Sequence, residues 1–236
     1  MRLSTLLSSL SLTLVLLFLN CTVPAVLEKD QLQNAISPLV IPECPSAVKG
    51  AGFASIRMQR RTYNGDMTVV WEKDSIFRAD FYSPIGSIVA TISGDSSEAR
   101  FDYGDNRYVF PVLSTMDSLP FAWGKDFTFN EFSALITGNL SQFARILRTV
   151  PSAVADSGKK TLATWEVDGK NQIIQLEINR KKVIVEKLYL RSSADSFGWI
   201  MIFKNFKEGK PYSILFKEDA NNYFSIDYTT LQFLTD

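Results

Sequence analysis

Apolar and polar residues alternate with a period of two along much of this chain, a pattern typical of antiparallel strands with one buried face and one solvated face. The alternation is clearest in the range 71–94. There, apolar residues occupy every second position, first in Phe77, Ala79 and Phe81 and then in Ile88, Ala90 and Ile92. The pattern predicts consecutive strands joined by tight turns, with these residues on the inner face.

Similar segments on both sides of this stretch predict a mainly β protein of about 11 strands. Six strands are expected between Phe53 and Phe110, and the others between Leu162 and Tyr228. Asn64-Gly65 and Glu208-Gly209 have the composition of hairpin turns. Because a long antiparallel sheet tends to curl, we expect a curled antiparallel sheet that forms an open half-barrel.

A helical insertion separates the two blocks of strands. Thr128 and Glu131 have the spacing of a capping box, and Gly138 stands where a helix C-terminus is expected. A second helix is predicted over 141–149. The apolar residues of the first helix recur at helical spacing, in Phe129, Phe132, Leu135 and Ile136. These helices are the available cover for the apolar face of the sheet, so we expect them to form a lid on its concave side.

The N-terminal part of the chain has the pattern of an export signal. Arg2 precedes a leucine-rich run that ends at Leu19, and Cys21 follows closely. The run is too short and too rich in serine for a comfortable membrane span. We interpret 1–20 as a lipoprotein signal peptide and Cys21 as the lipidated first residue of the mature protein. The alternative is ordinary cleavage after Ala25.

The range 21–49 contains several prolines and little periodicity, which predicts a tether between the lipid anchor and a folded domain over 50–236. Cys44, the other cysteine, has no partner within the chain if Cys21 carries lipid. Two cysteines provide neither a disulfide framework nor a four-cysteine zinc site.

Composition excludes several functional classes. The formal net charge is zero, with 25 basic and 25 acidic residues, so no basic field indicates nucleic-acid binding. The chain has no histidine, which removes Ser-His-Asp catalysis and histidine-ligated metal sites. A hydrolase could use the acidic pairs Asp102/Asp105 or Glu218/Asp219, but carboxylates at turns are usually just solvated. We therefore expect a binding protein without cofactor, metal or catalytic residues.

Ser83-Pro84-Ile85-Gly86 predicts a tight turn between two strands, since Pro84 suits the second turn position and Gly86 relieves the steric cost of the bend. Ile85 is an unusual residue for such a tip. It either folds back onto the sheet or stays in solvent, where a single apolar residue needs no functional explanation.

A barrel-like sheet of this size can enclose a cavity lined by apolar side chains. The pattern alone does not separate cavity-lining residues from plain core residues. The candidates are Trp71, Phe77, Phe81, Ile92, Phe101, Phe129, Phe132, Ile136, Trp165, Ile174, Leu176, Met201 and Phe203.

The signal segment with its cysteine, the six-strand meander, the helical lid and the second block of strands together resemble the lipoprotein-localisation (LolA/LolB) superfamily. Within it the chain is most similar to the LolB branch of outer-membrane lipoproteins. The most specific segments are the range 81–86, Phe-Tyr-Ser-Pro-Ile-Gly, and the helix that ends in Leu-Ile-Thr-Gly at 135–138. The resemblance covers the chain from about Gly50 onward.

This resemblance implies a protein that receives lipoproteins in the periplasm and inserts them into the outer membrane. It implies that Ile85 protrudes, held by Pro84 and Gly86, and supports membrane insertion. Acyl chains would be the cargo and a periplasmic carrier protein the partner, with the protein a monomer anchored through Cys21 to the outer membrane and facing the periplasm. The alternative is a scaffold or assembly lipoprotein of the same fold that binds a protein partner.

Overall fold

The computed structural model describes residue 36 and the ranges 45–58, 61–73, 75–112, 128–140, 149–167, 172–192, 198–218 and 221–235. Within these ranges, thirteen strands form one open antiparallel sheet beside the helix α1 (Phe129–Ile136). The strands are β1 (Ala47–Met58), β2 (Arg61–Glu72), β3 (Ile76–Tyr82), β4 (Ile88–Gly94), β5 (Glu98–Tyr103), β6 (Asn106–Pro111), β7 (Ala153–Asp156), β8 (Lys160–Val167), β9 (Gln172–Asn179), β10 (Ile184–Ser192), β11 (Gly198–Lys207), β12 (Lys210–Lys217) and β13 (Tyr223–Leu234).

The strand order joins two meanders at the centre of the sheet. It runs β6-β5-β4-β3-β2-β1-β13-β12-β11-β10-β9-β8-β7, so the first and last strands pair with each other. The two edge strands, β6 and β7, are therefore consecutive in the chain. The connection between them must pass from one edge to the other, and α1 belongs to this connection. A helix across the sheet follows directly from this topology.

The predicted alternation is confirmed along β3 and from Ala90 onward in β4, and its inner face forms the core. Ile88 was predicted to face inward, but it is half exposed, because the register between β3 and β4 shifts between Phe81 and Tyr82. Phe77, Ala79 and Phe81 of β3 are buried, whereas Arg78 between them is exposed. The apolar residues on the inner face of the other strands belong to the same core cluster, which lies beneath α1. Full burial of each large side chain contributes about 1.5–3 kcal/mol, so the inner face stabilises both halves of the sheet together.

The predicted capping box begins α1. The Thr128 N–H donates to Glu131 Oε2 at 2.9 Å, and the Glu131 N–H donates to Thr128 Oγ1 at 3.3 Å. The helix ends before Gly138, whose φ of 69° is the left-handed conformation expected at a helix C-terminus. The four predicted apolar residues, Phe129, Phe132, Leu135 and Ile136, are all buried.

Aromatic and small residues of the sheet set the position of α1. The ring of Phe129 packs edge-on against Phe77 of β3 at a centroid distance of 5.4 Å and against Phe110 of β6 at 6.2 Å. A Cβ at Gly94 of β4 would lie 2.3 Å from Phe129 Cε1, so glycine permits this close approach. The N-terminal half of the sheet therefore holds the start of the helix.

The prediction of about 11 strands was too low. β7 was missed because it has only four residues, most of them exposed, and pairs with β8 alone in the sheet order. Such a segment has no apolar alternation to reveal it. In addition, β1 begins at Ala47, within the range that was predicted to be tether.

The predicted turn at Asn64-Gly65 was wrong. Both residues lie inside β2 and pair with Ser55 and Ala54 of β1, and the chain reverses between the cross-strand partners Met58 and Arg61. A Cβ at Gly65 would lie 1.9 Å from the carbonyl oxygen of Tyr82. Glycine is needed here for close approach of two backbones, rather than for a turn.

Several predicted features lie outside the described residues: the signal peptide 1–20, Cys21, Cys44 and most of the second predicted helix at 141–148. In the range predicted to be tether, Ile36 is described, and it is buried within the core cluster. Within the described ranges, no helix combines the length and hydropathy needed to cross a membrane.

Candidate functional site

A cavity of about 380 Å³ opens at the end of the sheet that carries the β3–β4 turn. Residues from β1 to β5, from β13 and from α1 form its walls. Its volume falls within the range of about 300–1,000 Å³ that is typical of small-molecule sites. Its buried floor consists of apolar side chains, namely Phe81, Ile92, Phe101, Phe132 and Phe224.

Small residues create the space. Ala54 and Gly65 are cross-strand partners on β1 and β2, and Ala90 faces the cavity from β4. The rings of Phe81 and Phe224 meet edge-on at 6.0 Å although β1 and β2 lie between their strands. Strands three positions apart are separated by about 14 Å in a flat sheet. The two rings therefore lean toward each other and enclose the space that the small residues leave open.

Two tyrosines stand beside the mouth of this cavity. Tyr63 of β2 and Tyr103 of β5 both line it, and their rings meet edge-on at 6.0 Å. Their hydrogen bond lowers the pKa of Tyr63, which a hydrogen bond with Arg61 lowers further, and raises the pKa of Tyr103. The pair bridges two strands that are not neighbours in the sheet, so it defines one side of the opening.

The β3–β4 turn forms the outer rim of the same opening. The Gly86 N–H donates to the Ser83 carbonyl at 2.9 Å, and the Ser87 N–H donates to Ser83 Oγ at 3.2 Å. Gly86 has a φ of 82°, which a residue with a side chain rarely adopts. Pro84 lines the cavity, whereas the neighbouring Ile85 is 89% exposed and does not fold back onto the sheet.

Further apolar residues extend this exposed tip. Ile88 and Val89, at the start of β4, are each about half exposed, and Val89 also lines the cavity. An apolar surface of Ile85, Ile88 and Val89 thus leads from solvent to the cavity mouth. We call these three residues the apolar rim.

The structure distributes the predicted cavity residues among several places. Phe81, Ile92, Phe101 and Phe132 line the 380 Å³ cavity. Trp71, Phe77 and Phe129 line a separate space of about 200 Å³ at the other end of the strands. Phe203 lines a third, of about 470 Å³. The remaining candidates are buried in the core: Ile136, Trp165, Ile174, Leu176 and Met201.

The sequence analysis missed several wall residues of the 380 Å³ cavity, namely Ala54, Ile56, Tyr63, Val89, Ala90, Tyr103 and Phe224. The sequence did contain one signal for these wall residues, namely a small residue at an inward-facing position between large ones. Ala90 has the inward parity of Ile92, and it is small where the neighbouring strands carry Phe81 and Tyr103 opposite it.

The acidic pairs considered for catalysis have other surroundings. Asp102 Oδ1 accepts a hydrogen bond from Arg107 Nε at 2.6 Å, in an exposed ion pair. Asp105 lies in the turn after β5 and is exposed, and Asp219 lies outside the described residues. Asp102 and Asp105 are not part of the 380 Å³ cavity wall.

A buried hydrogen bond fastens the end of the lid to the C-terminal half of the sheet. The Tyr228 hydroxyl of β13 donates to the carbonyl oxygen of Ile136 at 2.6 Å. Burial raises the pKa of Tyr228 above its ordinary value of 10.0, because the phenolate would lose its hydration. Together with the packing of Phe129, this bond attaches α1 to both halves of the sheet.

We expect Tyr228→Phe to lower the free energy of unfolding by about 1–3 kcal/mol, since the buried Ile136 carbonyl loses its donor.

The raised pKa of Tyr228 also predicts that the stability of the unchanged protein depends on pH. Above pH 10 the unfolded tyrosine loses its proton while the folded one keeps it, so stability should fall by about 1.4 kcal/mol per pH unit. Urea unfolding of both proteins between pH 8 and 11 would measure this. An equal decline in the Tyr228→Phe variant would contradict the assignment.

Comparison of the sequence finds no matching protein-family model and no matching curated protein. The solved structures that are similar in fold include the following three. A DUF1329 family protein from Desulfovibrio piger is 8% identical with a TM-score of 0.55, over 87% of this chain and 91% of its own. A domain described as an outer membrane lipoprotein-sorting protein, from Vibrio parahaemolyticus, is 9% identical with a TM-score of 0.56, over 86% of this chain and 91% of its own.

The third is a LolA superfamily protein from Nitrosomonas europaea, which is 10% identical with a TM-score of 0.51. The match covers 89% of this chain and 94% of that protein. At such low identity the likeness concerns the fold. The open antiparallel sheet with α1 across its apolar face therefore has the LolA/LolB-like fold that the sequence resemblance predicted.

Proposed function

We propose that this protein binds acyl chains in the 380 Å³ cavity and helps to receive lipoproteins and insert them into the outer membrane from the periplasmic side. One observation carries the proposal: the apolar cavity opens beside the β3–β4 turn, whose Ile85 is 89% exposed. A ligand that leaves this mouth meets the apolar rim before it meets solvent. The likeness to proteins of the lipoprotein-sorting fold supports the same conclusion.

The chemistry of the cavity suits alkyl chains. Each buried methylene group contributes about 0.8 kcal/mol. An apolar cavity can therefore bind an acyl chain without a charged side chain to hold it. The buried floor is made of phenylalanine and isoleucine side chains. Such a floor recognises the length and shape of a chain rather than one head group, as a receiver of different lipoproteins requires.

The length of chain between the proposed anchor and the core is compatible with contact between the rim and the same membrane. β1 starts at the end of the sheet opposite the β3–β4 turn, and its 12 residues span about 40 Å. The 15 residues from Cys21 to the buried Ile36 reach at most about 50 Å when extended. An anchored molecule can therefore turn its rim toward the bilayer.

The direct test combines native mass spectrometry with a transfer assay. Full-length protein extracted from membranes should carry non-covalent acyl lipids or lipopeptides. Delipidated protein should take up a fluorescent diacylated peptide at a ratio of one to one and release it to liposomes. Saturable binding followed by release is the expected result. A protein that neither carries nor takes up acylated ligands would overturn the proposal.

Cys21 provides a separate prediction about the anchor. Cys21→Ala should move the protein from the membrane fraction to the soluble periplasm or block its processing, because position 21 then offers no thiol for lipidation. Fractionation and intact-mass analysis would show this. Cys44→Ala is the matched control and should leave membrane association unchanged. Normal processing and unchanged membrane association of Cys21→Ala would contradict lipidation at this residue.

A further inference from the structure

A separate cavity of about 470 Å³ lies at the other end of the sheet, between β10–β13 and the residues that follow α1. Its walls are mostly apolar and include Val185, Phe203, Phe206 and Phe233. None of its described wall residues lines the 380 Å³ cavity, and it opens beside the β9–β10 and β11–β12 turns instead of the β3–β4 turn. We call it the basic cavity, because Lys182 and Lys210 lie in its wall.

Lys210 stands against the wall of this cavity. Its Nζ lies 4.9 Å from the centre of the Phe233 ring, a cation–π distance that keeps the charge at the apolar surface. The preceding turn is rigid, since Glu208 and Gly209 have φ angles of 51° and 76°. Two left-handed residues are typical of a type I′ hairpin turn, so the turn sets where the backbone of Lys210 enters β12.

Lys182 faces the cavity from the β9–β10 turn. The Asn179 side-chain oxygen accepts hydrogen bonds from the N–H groups of Lys181 and Lys182, at 3.1 Å each. Val183 follows with a φ of 53°, which is a strained conformation for a β-branched residue and costs on the order of 1–3 kcal/mol. The turn thus places a charged side chain and a partly exposed apolar one side by side at the cavity wall.

Among the described residues, no ion pair neutralises the lysines around this cavity. Lys181, Lys182, Lys207 and Lys210 have no carboxylate within 4.0 Å in the described part of the chain. Arg180 in the same turn differs, because it pairs with Asp156. Glu208 is the single acidic side chain among the described wall residues. Lysines without a carboxylate partner, next to an apolar space, fit a ligand with an alkyl chain and an anionic end.

We propose that the basic cavity is a second lipid site, which holds one alkyl chain with its anionic head group between Lys182 and Lys210. The head group is a carboxylate or a phosphate monoester, since both present anionic oxygens to two ammonium groups. This site discriminates by charge, whereas the 380 Å³ cavity has an uncharged floor. This site is independent of the proposed function, because no described residue lines both cavities.

The test is calorimetric titration of the full-length protein with twelve-carbon probes below their micelle concentrations. Dodecanoate and dodecyl phosphate should bind, and their relative affinities identify the head group. Dodecyltrimethylammonium should bind at least about tenfold more weakly than the anionic probes, a difference of about 1.4 kcal/mol. Equal binding of the cationic probe would overturn the proposal.

Variants locate the site. Lys182→Glu together with Lys210→Gln should weaken both anionic probes at least tenfold and leave dodecanol binding unchanged. Lys159→Glu is the charge control, because Lys159 is exposed at the same end of the sheet but is not among the cavity walls. Circular dichroism verifies folding of each variant.

The variant Ala90→Phe distinguishes binding in the two cavities, because the added ring occupies the 380 Å³ cavity only. Anionic probes should still bind this variant through the basic cavity with lysine-dependent affinity. Loss of that binding in Ala90→Phe, or unchanged affinity in the folded double-lysine variant, would refute the second site. Either result leaves the transfer assay for the first cavity interpretable.

Discussion

Ile85→Glu is expected to reduce the transfer of bound acyl chains to liposomes by at least about tenfold, while acyl-chain binding and stability remain close to those of the unchanged protein. Ile85 is 89% exposed, so the substitution removes no core contact. Partial burial of an isoleucine in the bilayer interface recovers some of about 1.5–3 kcal/mol, and 1.4 kcal/mol corresponds to a factor of ten. A carboxylate at this position loses that gain and is repelled by anionic lipids. Stopped-flow transfer of a fluorescent diacylated peptide measures the effect.

Ile76→Glu is a matched control for this experiment. Ile76 is also an exposed isoleucine, at 49%, but it begins β3 at the end of the strand opposite the β3–β4 turn. Its substitution should leave the rate of transfer unchanged. If Ile85→Glu lowers the free energy of unfolding by several kcal/mol, the side chain is buried in solution. If a folded Ile85→Glu variant transfers at the normal rate, the turn has no role in membrane insertion.

Local sequence patterns predicted those parts of the fold that depend on neighbouring residues. The capping box of Thr128 and Glu131 fixed the start of α1, because both hydrogen bonds form within one helical turn. Gly209 marked the β11–β12 turn, because glycine adopts its left-handed backbone angle without steric cost. Alternation identified the inward parity of β3 and of β4 from Ala90 onward, since the side-chain period of a strand is two, but it could not show the register shift that leaves Ile88 exposed.

Features that depend on distant residues were missed. The pairing of β1 with β13 joins the two ends of the sequence, and neither strand carries a local signal for its partner. Gly65 has the composition of a turn but serves the approach of the Tyr82 backbone from β3. Parity showed that Ile92 and Trp165 face inward, but it could not show that one lines a cavity and the other is core.

The 380 Å³ cavity exists because small residues leave space that larger side chains would fill. Ala54, Gly65 and Ala90 come from three different strands, and together they leave the space that Phe81 and Phe224 enclose. No single segment of sequence contains this information. Similarly, Phe132 was a sound candidate from its helical spacing, but the structure shows that it is both a wall residue and a fully buried part of the core.

Phe132→Glu is therefore a poor test of binding, because a buried unpaired carboxylate would unfold the protein. A substitution that fills the cavity is a more specific test of binding than Phe132→Glu. Ala90→Phe places a ring in the 380 Å³ space, and the neighbouring inward residues Phe81 and Tyr103 are its cross-strand partners. Displacing even two methylene groups of a bound chain costs about 1.6 kcal/mol, which is more than tenfold in affinity. We expect the affinity for a fluorescent diacylated peptide to fall by at least that factor.

The free energy of unfolding should change little in Ala90→Phe, because the ring enters open space instead of a packed core. Ala153→Phe is the matched control, since Ala153 is exposed on β7 and remote from this cavity, and it should bind the peptide normally. Urea unfolding and peptide titration of both variants complete the measurement. If the folded Ala90→Phe variant binds the peptide with unchanged affinity, the acyl chains occupy another part of the molecule, and the apolar rim cannot deliver them from the mouth beside Pro84.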